Sequence, residues 1–236
     1  IDILLLGSSI AFCKNIFNYV IYFYICTMQG LDTVLKYFDD FSPTQLQQFA
    51  ALESLYKEWN EKINVISRKD IENLYERHIL HSLSIAKFIQ FKNGTKIMDL
   101  GTGGGFPGVP LAILYPEVRF HLVDSIGKKL KVIEAVKEQT GLSNVFTFHA
   151  RAEQMEYQYD FVVSRAVAPL ADLLSWTKGK YSPKQGHQGL RNGLICLKGG
   201  DIEAELSVVK NARKVPLNSF FEEAFFTDKF LVYCAQ

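Results

Sequence analysis

Cysteine is scarce and dispersed. The four present (Cys13, Cys26, Cys196 and Cys234) form no C-x-x-C pair and no metal-ligand spacing. That excludes a disulfide framework, argues against zinc or iron–sulfur chemistry, and points to a reduced compartment. Excess charge is missing as well. A net charge of +1 rules out a uniformly basic coat, so any nucleic-acid contact has to come from local clusters. Long apolar runs are missing too. The longest uncharged stretch, Asn15 to Leu31, is shorter than the ~20 residues that span a bilayer, and it contains Asn15, Asn18 and Gln29. The start has neither the positive charge nor the small-residue cleavage site of a secretory signal. The first residue is Ile1 and the first methionine Met28. The expectation is that the natural protein begins at Met28, with residues 1–27 a non-native or poorly packed apolar extension. Composition is otherwise ordinary for a globular chain: 236 residues, 48% hydrophobic, 22% charged. That suffices for one large domain, or a domain with a small appendage.

The most informative stretch is Ile97 to Pro110, IMDLGTGGGFPGVP. Lys96 to Leu100 reads as a short strand interrupted by Asp99. Gly101, Gly103, Gly104, Gly105 and Gly108 then form a turn that glycine makes at little steric cost, and Val109 to Leu114 opens a helix. Strand, glycine turn and helix start together bring backbone N–H groups to a ligand. A G-x-G-x-x-G dinucleotide fingerprint would need glycine at 106, where the sequence has Phe106. The fit is to Asp99-x-Gly101-x-Gly103-x-Gly105, the pattern of class I S-adenosylmethionine (AdoMet) methyltransferases. AdoMet has no pyrophosphate, so its loop need only let the backbone pass close, with an acid near the amino group. Asp124, ending the next strand Arg119 to Val123, is placed to take both ribose hydroxyls. The competing possibility is a structural βαβ turn with no ligand.

Around that loop the chain divides into a helical front and an alternating remainder. Ser42-Pro43 is a helix start, and Leu46, Phe49, Ala50, Leu52, Leu55, Tyr56 and Trp59 then mark one apolar face. Residues 60–67 break the pattern, and 71–89 read as a further helix. Downstream, the pattern predicts a helix over 127–140, strands over 144–150, 159–164 and 192–198, a helix over 201–211, and closing hairpin strands over 225–235. Alternating βα units mean an α/β fold, a parallel sheet with helices on both faces. Ligands bind beyond the carboxyl ends of such strands. The segments at 101–106, 124–125, 151–153, 164–166 and 198–200 should therefore share one face.

These segments resemble the bacterial 16S ribosomal RNA guanine-N7 methyltransferases, the glucose-inhibited division protein B family. The matching residues are Trp59-Asn60 with 63–66, Arg77-His78 to Leu83, Asp99 to Pro110, Leu122 to Lys129, Arg151-Ala152-Glu153, Val163 to Ala166 and Leu197-Lys198-Gly199. The Pro107-Gly108-x-Pro110 tail and the S-R-A and L-K-G segments are far more specific than the glycine loop. His81 departs from the family, which usually has aspartate there, and Tyr181 to Arg191 is longer than the usual turn. The resemblance implies a Rossmann-like class I methyltransferase with a mostly parallel seven-stranded sheet over 91–236 and a helical subdomain over 28–90. It implies AdoMet as cofactor, held by Gly101, Gly103 and Phe106 from the loop, by Asp124 at the ribose, by Ser125, and by Ala152 and Glu153 at the adenine. Arg165 would line the pocket near cofactor or base, and is the candidate catalytic residue. Arg77, His78, Arg151 and Lys198 would contact substrate. Each has a bland alternative: Glu153 as a first-turn helix acid, Arg165 as salt-bridged scaffold, Arg77-His78 as structural residues of an apolar helix.

The implied partner is 16S ribosomal RNA or the assembling small subunit, met by a cytoplasmic monomer with no metal and no membrane. The target atom sets the mechanism. Guanine N7 has a free lone pair and loses no proton before attack, so positioning replaces a general base. Consistently, the segment after the fourth strand, Ser164 to Pro169, lacks the [N/D/S]-P-P-[Y/F/W] of exocyclic-amine methyltransferases, and Cys196 lies in an apolar strand rather than beside proline. RNA contacts would come from Lys62, Arg68, Lys69, Arg77, Lys128, Lys129, Arg151, Lys178, Lys180 and Lys198, with Phe106 as a stacking candidate at the mouth of the loop. Dispersed solvated lysines are the alternative. A class I methyltransferase acting on a small molecule or protein is the competing function, and a non-catalytic AdoMet-binding or ribosome-assembly factor is a third.

Overall fold

Seven strands carry the architecture, and the order in which they pair decides where a ligand can sit. A computed structural model of the protein describes residues 30–183, 187 and 189–236; the expectation for residues 1–27 lies outside them. The strands are β1 (Lys96–Leu100), β2 (Arg119–Asp124), β3 (Val145–His149), β4 (Phe161–Arg165), β5 (Gly193–Gly199), β6 (Arg213–Pro216) and β7 (Lys229–Ala235), in the order β3-β2-β1-β4-β5-β7-β6. β1 to β5 are parallel, and β7 runs antiparallel between β5 and β6. Strand order reverses between β1 and β4, so the crevice above their carboxyl ends is the place for a ligand.

Successive strand residues face opposite sides, and each side has its own core. Ile97, Phe120, Leu122, Phe161, Val163 and Ile195 face the larger one, which also holds the N-terminal helices. These are α1 (Leu31–Leu35), α2 (Pro43–Lys62) and α3 (His81–Phe88), joined by α4 (Gly108–Leu114) and α5 (Gly127–Thr140). Met98, Val123, Val162, Leu194 and Cys196 face the smaller core, shared with α6 (Leu170–Trp176) and flanked by α7 (Glu203–Ser207). The helical front is thus packed on the sheet itself. Ser42 starts α2 with a full capping box: its hydroxyl accepts from Gln45 N, and Gln45 Oε1 accepts from Ser42 N. Asn60 closes the break that follows by accepting from Val65 N and Ile66 N, both within 2.9 Å.

Three elements differ from expectation. The helix over 71–89 is instead a 3₁₀ turn (Ile71–Asn73), a π-helical stretch (Tyr75–Leu80) and α3. The helix over 201–211 shrinks to Glu203–Ser207. The closing hairpin pairs β7 with β6, which lies upstream of the stretch read as strands. The intervening chain forms 3₁₀ turns at Leu217–Ser219 and Ala224–Phe226, because Phe221 and Phe226 turn inward to fill the larger core. Among the described residues, no helix is long and apolar enough to cross a membrane, and no group of three or more histidines, cysteines or acids is placed to hold a metal.

Candidate active site

The glycine loop is held by β1, β2 and α2 together. Gly101, Gly103 and Gly105 adopt φ of 66°, 58° and 99°, values that favour glycine. Gly101 N and Thr102 N both donate to Val123 O, at 2.9 and 3.1 Å, tying the loop to β2. Asp99 is fully buried, and its Oδ2 accepts from Thr102 Oγ1 (2.6 Å) and Gly108 N (2.8 Å). It therefore staples the loop to the start of α4. The acid expected near a ligand amino group is instead an internal brace. Burial raises its carboxyl to about 7. On the opposite side Tyr56 donates from Oη to Gly104 O at 2.6 Å. This hydroxyl is the clearest site residue that sequence reasoning missed, since on α2 it reads only as one more apolar position.

Above the loop lies a cleft of about 560 Å³, bordered by the ends of β1, β2 and β4 and the turn after β3. It gathers Gly101, Asp124, Ser125, Arg151, Ala152, Glu153 and Arg165. Gly103 reaches it through Asp124, whose Oδ2 accepts from Gly103 N and Oδ1 from Ile126 N, both at 2.8 Å. Each carboxylate oxygen keeps a second lone pair for a ligand. Ile126, Val167 and Trp176 complete the wall. Nothing in the sequence marks them beyond their places after Asp124, after Arg165 and at the end of α6.

Arg165 is braced from beneath. Its guanidinium carbon lies 5.0 Å from the ring centre of Phe106, one Nη donates to Arg77 O (3.3 Å), and the other pairs with His78 Nδ1 (2.9 Å). Arginine only donates, so His78 Nδ1 accepts and the ring proton is on Nε2. Burial, reinforced by the Arg165 charge, pushes the His78 imidazole down to about 3, so it is neutral at pH 7. Burial also lowers Arg165, to about 10, which leaves it protonated.

These contacts correct several expectations. Phe106 is 3% exposed and does not face the mouth of the loop. Its N–H donates to Thr102 O, turning the ring under the loop against Tyr56 and His78. A residue so buried offers no ring to a base. His78, neutral and half-buried under Arg165, is no phosphate contact, and Arg77 is paired with Asp70 at 2.7 Å. Lys198 is 8% exposed, with Nζ on Ala168 O (2.6 Å) and Glu205 Oε2 (2.8 Å). It ties β5 to α7 and to the segment after β4 rather than reaching for RNA. Arg151 alone of the four expected substrate contacts is exposed at the cleft. His81 is a core residue, edge-on to Phe225 and Phe226.

Two consequences are measurable. Tyr56→Phe leaves Gly104 O without its partner and loosens the loop. It should cost about 1–2 kcal/mol of stability and weaken cofactor binding several-fold in calorimetry, while adjacent packing persists. The second concerns pH. His78, His81 and His121 are held neutral by burial, His121 near about 4. Groups whose folded pKa lies below the unfolded value stabilise the fold above about 6.5 and lose that contribution as pH falls. Asp99, raised to about 7, acts oppositely and destabilises as pH rises through 7. Three groups outweigh one, so the melting temperature should level off near pH 7 and fall by several degrees toward pH 4, followed by circular dichroism.

Comparison with known proteins agrees with this geometry. The family model described as GidB, rRNA small subunit methyltransferase G, matches residues 45–220. The ribosomal RNA small subunit methyltransferase G of Bacteroides thetaiotaomicron is 60% identical over 204 residues, covering 86% of this chain and 98% of that relative. A SAM dependent methyltransferase from Aquifex aeolicus superposes with TM-score 0.51 at 15% identity, over 71% of this chain and 97% of the other. A mutant of MtNAS in complex with S-adenosylmethionine gives TM-score 0.53 at 14% identity, over 89% and 84%. Identities that low speak for the fold alone, the class I methyltransferase fold. The family match, spanning most of the sequence, is decisive: the chain belongs to the GidB family of small-subunit rRNA methyltransferases, enzymes that depend on S-adenosylmethionine.

Proposed function

We propose that the protein transfers a methyl group from AdoMet to N7 of a guanine in 16S ribosomal RNA, free or in the assembling small subunit, as a cytoplasmic monomer. We read residues 28–90 as a helical subdomain that buttresses the catalytic domain, 91–236. The observation that carries the proposal is the braced Arg165 at the cleft formed where β1 and β4 diverge.

The cleft suits the cofactor. It has a volume of about 560 Å³, the Asp124 carboxylate for a ribose diol, Ala152 and Glu153 beside an adenine, apolar walls at Ile126 and Trp176, and glycine at 101. Bound AdoMet supplies an electrophilic methyl on sulfonium. The chain's own part is placement. Arg165 spends two of its five N–H donors on Arg77 and His78. The remainder suit O6 on the Hoogsteen edge of guanine, which places the base and leaves the N7 lone pair free to attack. Donors held by Phe106 and His78 need no reorganisation as the transition state forms. Because N7 offers its lone pair directly, no residue has to remove a proton.

An RNA substrate makes the reaction sensitive to ionic strength. Initial rates at subsaturating RNA should fall steeply between 50 and 200 mM salt, whereas AdoMet affinity should change little. A flat rate profile would favour the small-molecule or protein acceptor instead.

A further inference from the structure

The crossover from β3 to β4 is short. Residues 150–160 contain a single 3₁₀ turn, Ala152–Gln154, where the two preceding crossovers carry α4 and α5. A parallel connection of that length has no room for a helix across the sheet. Thr147 Oγ1 donates to Glu134 on α5 at 2.6 Å, so Phe146 and Phe148 point to the other face, which this crossover leaves without a helix. Aromatic rings occupy that face. His121 of β2 is surrounded by Phe146, Phe148, Tyr157 and Tyr159, with ring centres 5.7, 4.7, 4.8 and 5.5 Å away. The inner pair is sealed, His121 Nδ1 lying 3.1 Å from Tyr159 Oη. The outer rings are open to solvent, Phe146 by 39% and Tyr157 by 51%. Cations rim them. The Arg119 guanidinium is 5.5 Å and Lys137 Nζ 5.9 Å from the Phe146 ring centre. Lys96 is level with Arg119 in strand register. Lys137 also meets Glu134 at 3.6 Å.

We propose that this uncovered aromatic face stacks unpaired bases of a single-stranded RNA segment that leads to the methyl-transfer cleft, with Arg119, Lys137 and Lys96 facing its phosphates at the amino-terminal end of the strands. Open rings interleaved with cations are what splayed RNA requires, since every base has a π-face and every linkage a negative charge. A second copy of the chain seated here would set the same cations against their counterparts. Position supports RNA as well. Phe146 lies about 10 Å along β3 from the strand's cleft end at a rise of ~3.3 Å per residue. The connection that presents Tyr157 begins with the cleft wall at Ala150 to Glu153. One strand can therefore cross the rings and enter the cleft. The inference rests on RNA being the substrate.

The test uses the full chain with Tyr157→Ala, Phe146→Ala and their combination, Phe146→Tyr as the conservative control and Arg119→Gln for charge. Binding of a fluorescein-labelled single-stranded RNA oligonucleotide of mixed sequence is read by anisotropy, with its duplex as comparison. The double variant should bind the single strand at least tenfold more weakly and the duplex little differently. Phe146→Tyr should bind normally, and Arg119→Gln should flatten the salt dependence. In methyl transfer the double variant should raise the KM for rRNA while kcat and AdoMet affinity hold. Should Phe146→Ala melt early, Tyr157→Ala, whose ring is half exposed, carries the test alone. Unchanged single-strand affinity in these variants overturns the proposal, as does a wild-type chain that binds no RNA or dimerises through this face in sedimentation. Weakened oligonucleotide binding without any wild-type methyl transfer to RNA would sink the functional proposal and leave the surface standing.

Discussion

Gly101→Val is expected to abolish AdoMet binding, with calorimetric affinity falling at least a hundredfold. Gly101 has φ of 66°, a region that a β-branched residue enters only with strain. A Cβ there would also lie 2.6 and 2.8 Å from the two methyls of Val167. Val167 cannot simply retreat. It follows Ala166, itself at φ 52°, whose N–H is bonded to Leu197 O at 3.3 Å. Either the loop or the segment after β4 must move, and both border the cleft. Gly101→Ala should lose less. A Gly101→Val protein that binds AdoMet normally would mean that the cofactor sits elsewhere.

Arg165→Ala should lower kcat by about 10²–10³-fold, the usual loss when one preorganised donor is removed. AdoMet affinity should stay within a few-fold, and the melting temperature should move little, because the arginine's own burial opposes its charge. Arg165→Lys should not restore the rate. A single ammonium cannot reach His78 Nδ1, Arg77 O and the cleft at once, nor lie flat over Phe106. Normal turnover with a depressed melting temperature would make Arg165 scaffold.

The parts legible in the sequence were those fixed by local signals. β1 occupies Lys96–Leu100 and α5 Gly127–Thr140, both as read, because an apolar run ending in glycines and a helix stopped by Gly141 need no distant partner. The convergence of the segments after β1, β2, β3 and β4 on one cleft followed from parallel topology alone. What stayed hidden depended on where side chains go once packed. Phe106 follows a glycine loop and so resembles a residue at its mouth, but one backbone bond to Thr102 turns it inward. Lys198 looked like a basic contact because a buried lysine is rare, and its burial depends on Glu205, brought near by α7, and on the carbonyl of Ala168. The π-helical stretch at Tyr75–Leu80 keeps the same apolar recurrence as an α-helix, so periodicity could not reveal it. That stretch nonetheless presents Arg77 O and His78 to Arg165.

The most direct measurement follows the label. The protein is incubated with methyl-labelled AdoMet and small-subunit rRNA lacking its natural methylation, both naked and within the particle, and the modified nucleoside is mapped. The account predicts label at a single guanine, recovered as N7-methylguanosine and lost with Arg165→Ala. Label on an exocyclic amine or a ring carbon, or in a protein or small molecule with none in RNA, would contradict it.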